Sequence, residues 1–360
     1  MQNNNPLTNI ELILGNSNKR FSGVTSTMLQ VLNKQLALLP VAVLGDYFLP
    51  SSSSSSNKVI AISFLEVIKY GRSKTPAGQY RIFHARRNNE MIQALILKKL
   101  FGVKIKIVFT STAQRHHTQF TRWLIKQMDG IVSTCAAAAS YLEQPADIIV
   151  PHGIDTDTYQ PCINKEESWA QLGLPGKYGI GIFGRVRKQK GLDRLIDAAL
   201  PLLKKYPDFT IVITGQVQNK DQTYFDTQMS KVKNAGLEQQ VVYLGELPFA
   251  QIPALIQSMS IVTALSRNEG FGLTVLEAMA SGVAVLTSDA GAWPEVVRNG
   301  IDGHTVSSND NQVLSDTLAK MLESPDSLIA MGAQGRQRIE QHYTIEREAE
   351  NLVNYFKTLN

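Results

Sequence analysis

The sequence predicts an α/β protein made of two doubly wound units, each a parallel sheet with helices on both faces. Three observations predict it. Short β-branched runs alternate with helix-period segments along the chain, which is the pattern of βαβ units. The alternation runs in two series, separated once by a stretch with neither period. The chain has 360 residues, more than one hydrophobic core usually organises.

In the first series, strands are expected at Ile10 to Gly15, Val41 to Gly45, Val59 to Ile62, Arg81 to Ala85, Ile105 to Thr110 and Ile131 to Thr134. Val24, Met28, Leu32 and Leu36 recur at helical spacing between the first two. Further helical patterns lie around Met91 to Phe101 and Phe120 to Met128. Ser51 to Ser56 cannot fill a core and read as a flexible surface loop.

The segment Pro151-His-Gly-Ile-Asp-Thr-Asp-Thr-Tyr-Gln-Pro161 lacks either period and is the natural connector. The second series has strands at Gly179 to Phe183, Thr210 to Thr214, Val241 to Leu244, Ile261 to Ala264 and Val283 to Thr287. Leu192, Leu195, Ile196, Ala199, Leu202 and Leu203 share one helical face, and Pro201 is expected to bend or split that helix. The expected domains are residues 1–160, 161–340 and a closing helix in 341–360 that returns to the first domain.

Composition bounds the function. Hydrophobic residues make up 43% and charged residues 19%, as in globular proteins rather than disordered ones. No apolar run approaches the ~20 residues of a membrane helix, and Met1 to Asn5 carry no signal pattern, so a cytoplasmic location is expected. Cys135 and Cys162 read as free, structural thiols. The net charge of +5 and pI near 9 favour an anionic partner: nucleic acid, acidic lipid or a phosphorylated substrate. The modest aromatic content and absence of a nucleic-acid motif count against the first.

In doubly wound sheets, ligands bind beyond the carboxyl ends of the strands. There, Ser266-Arg-Asn-Glu269-Gly270-Phe271-Gly272-Leu273-Thr274-Val-Leu-Glu277 joins a strand to a helix starting near Leu273. Glycines allow close backbone approach, and a helix start offers unpaired amides and a favourable dipole to an anion. Glu277, one turn in, leans back toward the same place and suits ribose hydroxyls better than phosphate. Glu269 suits the hydroxyls of a transferred sugar. The second feature is Gly184-Arg185-Val-Arg187-Lys188-Gln-Lys190-Gly191, between another strand end and helix start. Arg185 and Lys190 read as diphosphate ligands; Arg187 and Lys188 read as a solvated basic turn.

Together, Gly184-Arg185…Lys190-Gly191 and Glu269-x7-Glu277 resemble the retaining glycosyltransferase family 4, of GT-B fold, in which two Rossmann-like domains face a central cleft. The connector Val150 to Pro161 and Gly245-Glu-Leu-Pro248 look like that family's connector and nucleotide-side loop. The resemblance implies a metal-independent transfer from a nucleotide sugar, without a further cofactor. It assigns Arg185, Lys190 and Glu269 to catalysis, and Gly184, Gly270, Phe271, Gly272, Leu273, Thr274 and Glu277 to the donor. Asp155-Thr-Asp157 imitates an Asp-x-Asp metal signature, but its place in the connector argues against that role.

The N-terminal half offers acceptor candidates: Gly23 at the first helix start, His84, Arg86 and Arg87 at one strand end, and Arg115 beyond another. His116 and His117 read as surface residues. The Gly23 to Thr27 opening, the His84 to Arg87 turn and the Thr110 to Arg115 segment are similar to those of lipopolysaccharide-core mannosyltransferases. This implies a GDP-mannose donor and a lipopolysaccharide-core acceptor. Rival readings are a UDP-sugar transferase, a nucleotide-sugar epimerase, a glycoside hydrolase and a non-catalytic binding protein. Lys98, Lys99, Phe101, Lys104, Lys106 and Arg115, with Phe120 to Lys126, mix basic and apolar side chains as an anionic membrane surface requires.

Overall fold

The computed structural model describes residues 6–19, 22–49 and 59–360. The serine run and the N-terminal pentapeptide lie outside the described residues. The chain divides into two compact units, 1–153 with 345–360, and 154–344. The boundary thus falls inside the connector, between Gly153 and Ile154, and not at residue 160.

The first unit is built on β1 (Leu12–Gly15), β2 (Val41–Leu44), β3 (Ile60–Ile62), β4 (Arg81–Ala85), β5 (Ile105–Ser111), β6 (Gly130–Ser133) and β7 (Ile148–Ile149). All neighbours pair in parallel, in the order β3-β2-β1-β4-β5-β6-β7. One face of this sheet packs around Phe83, Met91, Ile105 and Ile107. The other packs the helices Gly23–Leu36 and Ile345–Thr358 over Leu12, Leu14 and Val43. Ala349, Leu352, Val353 and Phe356 recur at helical spacing, and all four are buried. The last helix therefore completes the first unit although it follows the second in sequence.

The second unit is built on β8 (Tyr178–Phe183), β9 (Phe209–Thr214), β10 (Val241–Tyr243), β11 (Ile261–Ala264), β12 (Ala284–Ser288) and β13 (Gly303–Val306). Its order is β10-β9-β8-β11-β12-β13, again all parallel. The helix Leu192–Lys205 runs unbroken through Pro201. Pro201 removes one backbone donor, but Leu195, Ile196, Ala199 and Leu203 anchor both sides of it in the core. β7 and β13 escaped the sequence reading: β7 has two residues, and β13 reads Gly-His-Thr-Val, with neither an apolar run nor alternation.

Both sheets reverse direction of growth once, between β1 and β4 and between β8 and β11. At such a switch point the loops leaving adjacent strands run to opposite faces and open a crevice. Among the described residues, no helix is long and apolar enough to cross a membrane.

Candidate active site

The second unit places Gly184 to Gly191 after β8 and Leu265 to Gly272 after β11, on either side of its switch point. The two loops are stitched together. The Arg267 backbone amide donates to Gln189 O at 2.8 Å, and Gln189 Nε2 donates to Asn268 O at 2.7 Å. The Arg267 guanidinium donates to Lys188 O at 2.6 Å and forks onto Asp193 at 2.8 and 3.1 Å. Burial alone would raise the Asp193 carboxyl. Hydrogen bonds from Arg267 and Tyr224 outweigh it and hold Asp193 below its ordinary range. Buried Arg194 adds a bond to Ser307 O at 2.9 Å.

Within this frame, Lys190 is ion-paired with Glu269, whose Oε2 also accepts from Ser266 Oγ at 3.1 Å. Arg185 is exposed, following Gly184 at φ +104° with open space around it. Arg187 departs from the expected solvated turn: its Nε is buried without a partner. The helix Leu273–Ala280 begins behind Gly272, which has φ +85° and no side chain to cap the first amides. A Cβ at Gly272 would sit 2.4 Å from Trp293 Nε1, which donates to Gly272 O at 3.0 Å. Glycine is thus required, and the first-turn amides of Leu273 and Thr274 remain without an intrahelical acceptor, as at any helix start. Gly270 lies in the turn beside Glu269, and Phe271 is buried beneath it.

Glu277 stands one turn into that helix, partly exposed. Burial pushes its carboxyl up to about 7, against the pull of the Tyr159 hydroxyl and the Lys190 charge. Lys190 thus acts on both acids of the motif, one by contact and one through space.

The first unit uses its acceptor candidates differently. Gly23 opens its helix behind Ser22, which caps the Thr25 amide at 3.4 Å. His84 has no exposed surface: its Nε2 lies 2.6 Å from Thr110 Oγ1 and its Nδ1 has no partner. Burial, then Arg86 and His152, hold its ring well below the ordinary histidine range, and the side chain is packed in the core of the unit. Arg87 donates to Glu90 Oε1 at 2.8 Å, Ser22 Oγ at 2.9 Å and Thr25 Oγ1 at 2.8 Å, tying β4 to the first helix. Its fork is therefore committed inside the unit. Arg86 is half-buried with its Nη1 enclosed, and burial lowers its guanidinium to about 10 despite Glu90 and Glu348 nearby. Arg115 is exposed, as is His116, while His117 is half-buried, 3.3 Å from Ser111 Oγ. Cys135 and Cys162 are not joined in a disulfide, and Cys135 caps a short helix.

Residues 164–338 match the family described as Glycosyl transferases group 1. The chain is 36% identical over 355 residues to the lipopolysaccharide core biosynthesis mannosyltransferase LpcC of Rhizobium leguminosarum bv. viciae, covering 98% of this chain and 97% of that one. It is 37% identical over 358 residues to LpsB of Rhizobium meliloti, of the same description, covering 98% and 99%. The chain belongs to the group 1 glycosyltransferases. It is an enzyme, a hexosyltransferase. The fold is GT-B: a glycosyltransferase of Rickettsia africae superposes with a TM-score of 0.76 over 98% of this chain and 99% of that one, at 18% identity.

Sequence reasoning about this glycosyltransferase missed the residues that fix the two loops. Arg267 and Asp193 lie 74 positions apart, and only the switch point makes them neighbours. Trp293 and Tyr159 are also remote from the motif they support. Tyr159 carried a signal, since it stands in the connector already singled out.

Proposed function

We propose that this glycosyltransferase is a retaining, metal-independent family 4 enzyme that moves mannose from GDP-mannose onto a lipopolysaccharide-core acceptor at the cytosolic membrane face. The observation that carries the donor half is the stitched pair of loops at the second switch point. They set Lys190 against Glu269, near Glu277 and the amides of Leu273 and Thr274. Identity of 36–37% over 98% of the chain to two lipopolysaccharide-core mannosyltransferases supports the sugar and the acceptor.

In this reading the diphosphate lies on the helix start, with Arg185 and Lys190 as its cations. As the bond from the sugar carbon to the diphosphate oxygen breaks, the charge left on that oxygen meets fixed positive groups. The acceptor hydroxyl attacks from the same face, and its proton passes to the departing phosphate oxygen, which accounts for retention. The built-in cations take the part a divalent ion would play. Asp155 is otherwise engaged: its carboxylate accepts from the Asp157 amide at 3.0 Å and from Thr158 Oγ1 at 2.9 Å. Arg115 is the exposed arginine among the acceptor candidates and suits carboxylates or phosphates of an inner core.

The test is transfer of labelled mannose to truncated core lipid, with GDP-mannose, UDP-glucose and UDP-galactose in parallel, each with and without EDTA. Transfer from GDP-mannose, undiminished by EDTA, is expected. Use of a UDP-sugar instead defeats the donor reading, and an isomerised donor without acceptor points to an epimerase.

For the membrane, the structure divides the expected basic-apolar face. Leu124 and Ile125 are buried, and Arg122 and Lys126 share Glu143. Lys98 pairs with Asp129, and Lys99 with Gln127. Phe120 and Trp123 remain about half exposed and stacked on each other. We expect binding to anionic vesicles that Trp123→Ala weakens and salt reverses. Equal sedimentation with neutral and anionic vesicles at low salt would defeat it.

A further inference from the structure

Tyr159 is among the largest fully enclosed side chains of the protein, 2% exposed, yet its hydroxyl has no hydrogen-bond partner. Leaving such a group unpaired is costly unless something claims it. The hydroxyl belongs to the connector, and the acidic groups whose charge it feels are Glu277 first and then Asp155. The arrangement is locked. Arg336 Nη1 donates to Tyr159 O at 2.7 Å, Thr156 O at 3.2 Å and Ala280 O at 2.8 Å. Ala280 ends the helix that carries Glu277. One guanidinium therefore fixes the backbone bearing the phenol and the helix bearing the acid.

We infer that Tyr159 is a positioning residue of the donor site, its otherwise unpartnered hydroxyl donating to the Glu277 carboxylate when that carboxylate is turned toward the ribose hydroxyls of a bound nucleoside diphosphate. This rests on the reading of Glu277 as the ribose-binding acid. The groups facing Glu277 are Tyr159 from the connector and Lys190 from the loop after β8. Burial, and then Glu277 itself, push the Tyr159 phenol upward, so it stays a donor throughout the working range. Glu277, by contrast, titrates near neutrality. Nucleotide binding that needs the carboxylate is complete above that point and fades as pH falls through it. Without the phenol the carboxyl rises further, and the loss begins at higher pH.

The experiment is calorimetric titration with GDP and UDP from pH 6 to 9. The proteins are the wild type, Tyr159→Phe, which keeps the packed ring, and Glu277→Gln, each checked by thermal melting. With a carboxyl rise of roughly one pH unit for the lost hydrogen bond, Tyr159→Phe binds about fivefold more weakly at pH 7 and nearly as wild type at pH 9. Glu277→Gln binds more weakly across the range. A Tyr159→Phe profile that overlays the wild type, or a loss independent of pH, overturns the inference while Glu277 keeps its role. Wild-type affinity in Glu277→Gln overturns the ribose reading itself, and this inference with it.

Discussion

Replacing Arg185 or Lys190 by alanine is expected to lower kcat by roughly 10²- to 10³-fold, the scale on which one preorganised charge partner at a leaving group acts. The two substitutions should differ in their secondary effects. Arg185 is exposed, and no hydrogen bond or ion pair ties it down among the described residues. Arg185→Ala should therefore leave melting temperature unchanged and report on chemistry alone. Lys190 is ion-paired with Glu269 and draws Glu277 toward ionisation. Lys190→Ala removes a charge from the diphosphate, leaves Glu269 with Ser266 as its remaining side-chain partner, and raises the Glu277 carboxyl. Its KM for the donor should rise as well, more at pH 6.5 than at pH 8.5. Steady-state kinetics on both variants decide the matter. A rise in KM with unchanged kcat in Arg185→Ala would confine that residue to ground-state binding.

The parts of this molecule that depend on local patterning were legible in the sequence, and those that depend on topology were not. Strands such as Ile261–Ala264 announce themselves as short apolar runs, and Gly272-Leu273 announces a helix start. The strand β13 does not, because Gly303 and His304 sit in it for lack of room and by edge position: a Cβ at Gly303 would lie 2.4 Å from Val285. The donor motifs were legible for the same local reason. The acceptor candidates were harder. His84, Arg86 and Arg87 lie within four residues of one another, yet only His84 belongs to β4, while Arg86 and Arg87 follow its end. His84 is buried against Phe356, which arrives from the far end of the chain. Arg87 is consumed by Glu90, Ser22 and Thr25, a set that only the β1–β4 switch point assembles. Charge type suggested ligands at these positions; packing buries His84 and engages the Arg87 fork with neighbours in its own unit.

The same logic gives the second large effect, at a residue that carries no chemistry. Gly191 has φ +80°, and a Cβ there would lie 2.2 Å from Leu265 O. The left-handed conformation costs a non-glycine residue ~1–2 kcal/mol. The collision is the larger matter, because its partner is a backbone carbonyl and no rotamer change relieves it. Leu265 begins the loop that holds Ser266, Arg267 and Glu269, and Gly191 follows Lys190 directly. Gly191→Ala must therefore push apart the two loops that Arg267, Gln189 and Lys190 hold together. A displacement of about 1 Å between groups that act on one diphosphate is enough to cost ~10²-fold in rate. Gly236→Ala supplies the control: φ is +69° there, but nothing lies within 4 Å of the added methyl, so only the conformational strain is introduced. Both variants should melt earlier than wild type, and Gly191→Ala alone should lose roughly 10²-fold in kcat/KM for the nucleotide sugar. Equal kcat/KM in the two variants would show that loop registry is not what positions the diphosphate, and that the stitching between β8 and β11 serves stability alone.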